Sequence, residues 1–313
     1  MRPPARHISF DTGRLLQPAI LTVAVYILLI IFLPPNKATL HAHHLSALEY
    51  RTLLFAVSIP SLVTWVAAFI GYTQLRQYVT IIHDSPDGPH FQTLARGFAW
   101  LAWSLPVSAI VYLLLSSSAN KWPGLTATTV ILRNYINLIL PLIAFSIIGT
   151  ASRGLVNRAR LNFSSASVRL IMLVFLAGGV LYCFLTFQQF DLSSLSSTDN
   201  PYYLPLWLMV LSVIIPYLYA WFIGLLAAYE IMLFSRHSEG VLYRQSLGMM
   251  VSGLMMIIIS LVAIQFTSTV NPGIGHLIFG YHLALTLIFR IVGGVGFVLV
   301  AIGAGRLKKI EEI

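Results

Sequence analysis

The chain has 313 residues, 58% of them apolar, with only 19 Lys or Arg and 10 Asp or Glu. A water-soluble domain carries about 25% charged residues, so this composition excludes a soluble enzyme. The net charge of +9 would suit nucleic acid only if the cations clustered on a polar domain; they are instead scattered between apolar runs.

A bilayer core about 30 Å thick needs roughly 20 mostly apolar residues per helix, because lipid offers no partner to a free backbone group. The first such run, 15–33, follows Arg2, Arg6 and Arg14 and precedes Pro34-Pro35 rather than a small-residue cleavage site. It therefore reads as a retained first helix and not a cleaved leader. Further runs at 53–75, 92–116, 125–150, 167–187, 203–232, 243–267 and 276–304 bring the expectation to eight spans. They are too long, and too uniformly apolar, for the strands of a membrane barrel. The single cysteine, Cys183, excludes an intrachain disulfide and a cysteine metal cluster.

Drawing eight spans sorts the cations. Fourteen, among them Arg76, Arg96, Arg153, Arg158, Arg236, Arg244, Arg306, Lys308 and Lys309, share the side of the N-terminus. Only Lys37, Arg51 and Lys121 lie opposite, and Arg133 and Arg290 fall inside helices. The positive-inside bias places both termini in the cytoplasm of a multi-pass cell-membrane protein. The excess charge then serves anionic headgroups on that side, with no role in binding nucleic acid.

The sequence also rhymes with itself. Val57-Ser58-Ile59-Pro60-Ser61-Leu62-Val63-Thr64-Trp65 matches Val213-Ile214-Ile215-Pro216-Tyr217-Leu218-Tyr219-Ala220-Trp221 at five of nine positions, 156 residues apart. A polar loop, His83 to Gly88, is echoed by His237 to Gly240, and Gln92-Thr93-Leu94 by Gln245-Ser246-Leu247. Asn120 to Gly124 is echoed by Asn271 to Gly273, and Arg133 by Arg290. These echoes come in order at similar offsets, which predicts two parallel four-helix repeats, 1–157 and 158–313, related by an axis along the membrane normal. An axis of this kind is where a pathway would be sought.

Arg290 stands near the middle of the last run, where a lipid-facing cation costs at least about 2.5 to 3.5 kcal/mol. It must face protein, water or an anion. Thr286, Gly293 and Gly294 share its face, so a partner helix can come close there. Arg133, with Asn137 one turn on, is its counterpart. With Gln265 and His282, these residues form the candidate binding set: Arg290, Arg133, Asn137, Thr286, Gln265 and His282. Glu230 is the one acid inside a predicted span, and it lies too near the cytoplasmic end to reach Arg290. His41, His43 and His44 form the only histidine cluster dense enough to suggest a metal. The second repeat lacks it, so they are weak candidates and no metal or other cofactor is expected. The Ser-x-acid-Gly loops read as turns and helix caps. The tail from Gly305 to Ile313 resembles the exit helix of membrane-embedded sensor domains.

The leading expectation is a transporter or channel with its pathway between the repeats, favouring an anionic or polar solute, with a homo-oligomer compatible. The alternative is a sensory or scaffolding membrane protein without transport, and behind it a lipid-modifying enzyme. The first demands a hydrated cavity, whereas a packed, dry boundary between the halves favours the second.

Overall fold

Each predicted span that falls among the described residues is a helix. The structure, a computed structural model, describes residues 12–34, 46–118, 125–159, 215–269 and 275–312. In chain order the helices are α1 (Thr12–Phe32), α2 (Ala47–Ile81), α3 (Gly88–Ser118), α4 (Leu125–Arg158), α5 (Ile215–His237), α6 (Val241–Thr269) and α7 (Gly275–Glu312). Six of them, α2 to α7, are long and apolar enough to cross a membrane; the apolar part of α1, Gln17–Phe32, is shorter. The described residues are thus helical apart from short turns, and their apolar helices are those of a polytopic membrane protein. The predicted run 167–187, and the start of the one at 203–232, lie outside the described residues.

The helices overrun their apolar cores. The run at 53–75 becomes a helix of 35 residues because Ser46 caps it early. The Ser46 side chain accepts from the Glu49 amide at 3.2 Å, and Glu49 Oε2 accepts from the Ser46 amide at 2.8 Å. Two otherwise unpaired amides are satisfied in this way. Between α2 and α3 the predicted turn forms at Ser85, whose carbonyl and hydroxyl both accept from the Gly88 amide, at 2.9 and 3.1 Å. A Cβ on Gly88 would meet the carbonyls of Ile82 and His83 at 2.5 and 2.7 Å, and Gly240, in the matching turn, has φ of 90°. Glycine is required at both positions.

Helices α2 to α7 form a closed ring: each packs on the next, and α7 closes on α2, while α1 lies outside against α2 and α3. Successive contacts give the directions. Gly97 meets Ala144 and Ile148, so α3 and α4 are antiparallel neighbours, as are α6 and α7, where Gly303 meets Ser246 and Gly253 meets Val300. By contrast α2 and α7 run parallel, with Thr64 near Gly294 and Gln74 near Gly305, and so do α4 and α5. The ends of α2, α4, α5 and α7 therefore gather with the starts of α3 and α6 at one basic end. It exposes Arg76, Arg96, Arg236, Arg244, Arg306 and Lys309.

The ring has a filled centre. One continuous cluster joins all six helices, including Tyr78 of α2, Leu94 and Leu101 of α3, Phe145 of α4, Ile231 of α5, Met250 and Leu254 of α6 and Val300 of α7. The outer faces carry exposed Val63, Ile70, Trp100, Ile291, Val295 and Ile302, as a lipid-facing surface requires. Lipid tails are as apolar as leucine, so close packing and not expulsion of water must hold such helices together. Glycines meet that need. A Cβ on Gly253 would press on the Gly296 carbonyl and lie 3.0 Å from the Val300 nitrogen; one on Gly97 would lie 3.2 and 3.1 Å from the Ala144 carbonyl and Ile148 nitrogen.

Candidate functional site: polar groups on two helix seams

Two groups of polar side chains lie where parallel helices meet. On the α4–α5 seam Glu230 is only 1% exposed. Arg153, half-exposed at the basic end, reaches back so that its Nε lies 2.6 Å from Glu230 Oε1. Ser152 Oγ donates to Glu230 Oε2 at 2.5 Å. Small residues admit the carboxylate: a Cβ on Gly149 would lie 2.9 Å from Ile223, and one on Gly224 3.2 Å from Phe145. A buried charge is tolerable only when paired and hydrogen-bonded; Glu230 pairs with Arg153 through Oε1 and accepts one hydrogen bond, from Ser152, at Oε2.

The α2–α7 seam holds Arg290. Its Nη1 donates to Ser61 Oγ, and its carbonyl accepts from Thr64 Oγ1 at 3.2 Å, a hydroxyl that also lies 2.7 Å from the Pro60 carbonyl. The partner helix approaches at Gly294, where a Cβ would be 2.9 Å from Thr64 Oγ1. Gly294, on the face of Arg290, thus brings in the helix that supplies its acceptor. Next to it, Gly293 faces Ser260, which donates to the Phe289 carbonyl at 2.6 Å. Nearer the basic end of the seam, Lys308 Nζ donates to Gln77 Oε1 at 3.1 Å.

The basic end holds a third polar group. The Tyr78 and Tyr243 hydroxyls lie 3.3 Å apart over a cavity of about 460 Å³, lined also by Asp87, His237, Glu239 and Glu311. Arg158 pairs with Asp87 across its rim.

Of the candidate binding set, Arg290 is placed, on a seam. Arg133 and Asn137 belong to α4, Gln265 to α6, and His282 and Thr286 to α7; their side chains, and the whole of His41, His43 and His44, lie outside the described residues. Among the described residues no three His, Cys, Asp or Glu side chains converge on a metal position. Three partners escaped the sequence reading: Ser61, Ser152 and Arg153. Arg153 was counted as a topology cation, yet it neutralises Glu230. The only signal for Ser61 was its place beside Pro60 in the repeated fragment, and for Arg153 its place beside the last small residues of α4.

Comparison with family models, with curated proteins and with solved structures finds no match.

Proposed function

We propose that the chain is a multi-pass membrane scaffold or sensor, a rigid bundle that offers its seams and basic end to other molecules and does not conduct solute through its centre. The observation that carries this reading is the filled ring. From the level of Leu101 and Leu254 to the basic end, side chains from all six helices occupy the space between the halves. Glycine contacts also bring helix backbones together at Gly97, Gly253 and Gly303. The exposed arginines and lysine at one end support a cytoplasmic assignment for that end.

The duplication belongs to this proposal, and three features support it. Gly97 rests between the Ala144 carbonyl and the Ile148 amide, and Gly253 rests in the same way between Gly296 and Val300. Trp65 and Trp221, the repeated tryptophans, are both buried. The ring order α2–α3–α4–α5–α6–α7 also places each set of three consecutive helices opposite the other.

Transport remains the second reading. It is favoured by Arg290, which lies on a boundary between the two predicted halves and is bonded across it. One pair of measurements separates the two. In a Cys183→Ser background, Met250→Cys should resist a water-soluble maleimide throughout. Liposomes holding the wild-type protein should show no flux of small anions or polar solutes above protein-free liposomes. Labelling of Met250→Cys, together with flux that Arg290→Gln abolishes at matched insertion, would establish transport instead.

A further inference from the structure

A groove of about 990 Å³ runs along the outside of the α2–α7 seam. It requires only that the bundle span a membrane and does not depend on the scaffold reading. Its walls are Leu62, Val63, Val66 and Ile70 of α2 and Val298 and Ile302 of α7. Its floor is small, at Ala67, Ala301 and Gly305, because Gly71 lets the two backbones approach: a Cβ there would lie 3.4 Å from the Phe297 carbonyl. From Leu62 to Gln74 the α2 wall is about 18 Å long at 1.5 Å per residue. That is close to the roughly 15 Å depth of a single leaflet's hydrocarbon.

The chemistry changes abruptly at the end of this groove. Arg306, Lys308 and Lys309 stand at its mouth with Gln74, and among the described residues no carboxylate lines it. Three acids of the same end, Asp87, Glu239 and Glu311, line the other cavity, and Asp84 stands exposed in the α2–α3 turn beside His83. The last turns of α7 thus segregate charge, cations to the groove and Glu311 to the tyrosine pair. An apolar trough one leaflet deep, closed by three cations at headgroup level, complements one acyl chain and the anionic head of a lipid. We infer that this groove is a specific site for one anionic phospholipid of the leaflet at the basic end, one of its acyl chains along Val63, Val66 and Val298 and its phosphate between Arg306 and Lys309.

The full chain, reconstituted in nanodiscs of equal phosphatidylglycerol and phosphatidylcholine and released for native mass spectrometry, tests the inference. Wild type should retain one phosphatidylglycerol per chain in preference to phosphatidylcholine. Arg306→Gln with Lys309→Gln, both exposed positions, should lower that preference by about tenfold or more, since each cation near an anionic surface adds to the attraction. The same charge removed elsewhere on the basic end, by Arg96→Gln with Arg244→Gln, should leave it unchanged. Val298→Trp, which fills the trough without touching charge, should lower retention of lipid of either kind. No preference in the wild type, or equal loss in the two double variants, overturns the site in favour of diffuse surface attraction. Undiminished retention in Val298→Trp overturns the assignment of the acyl chain to the groove.

Discussion

The two parallel seams, α4–α5 and α2–α7, occupy opposite sides of one ring and are built on the same backbone plan, yet they are filled differently. The first holds an ion pair whose acid is buried, with Glu230 out of reach of solvent and met from two sides by the half-exposed Arg153 and by Ser152. The second holds a ladder of separate hydrogen bonds, Arg290 to Ser61 farther from the basic end and Lys308 to Gln77 near it, with an open groove between them. A ring can close through either solution. The first makes a joint that resists parting, because separation would strand a buried carboxylate; the second leaves room for a small amphiphile alongside.

This contrast can be broken at graded cost, read from reversible unfolding in mixed detergent. The largest effect is expected from Arg153→Ala, which leaves Glu230 buried and unpaired at a cost of about 3 kcal/mol. Glu230→Gln should cost less, because Arg153 can turn to water. If Glu230→Gln proves the more damaging, the seam is held by the carboxylate's bond to Ser152 and not by the ion pair. Next come Gly149→Val and Gly294→Val, one on each seam, each costing about 1 to 3 kcal/mol through overpacking. Similar losses would place the asymmetry between the seams in their charges, whereas a large difference would place it in packing. Gly248→Ala, where a Cβ meets nothing within 4 Å, is the control and should be neutral or slightly stabilising. Ser61→Ala removes one acceptor from Arg290 and is expected to cost about 1 kcal/mol. The smallest effect is predicted for Lys308→Met, about 0.5 kcal/mol, since its head lies near water where such bonds are weak.

Much of the fold was legible because its signals are local. The apolar runs announced the helices, and Ser85 with Gly88, and then Gly240, announced the turns, Gly88 through the close approach of two carbonyls and Gly240 through its positive φ. Arg290 could be singled out for a similar reason: a cation in the middle of an apolar run is costly wherever it points. Its acceptor was not legible. Ser61 lies 229 residues away, and a serine after a proline in an apolar helix has many ordinary explanations. The role of Arg153 was hidden by the rule that assigned it to the membrane surface. A long side chain can satisfy that rule and still reach inward to a carboxylate, because its stem packs on apolar neighbours while its head chooses between partners.

The sequence by itself determined that this protein is built of apolar helices suited to lipid, roughly where those helices fall, and that its cations gather toward one end. Those properties are sums over neighbouring residues and survive any arrangement of the helices. Only the tertiary structure decided that α7 closes on α2, that the centre of the ring is filled, and that Glu230 and Arg290 are satisfied on separate seams. These outcomes depend on which glycines meet which carbonyls across the bundle, a matter of contact at a few ångströms that composition and spacing do not encode.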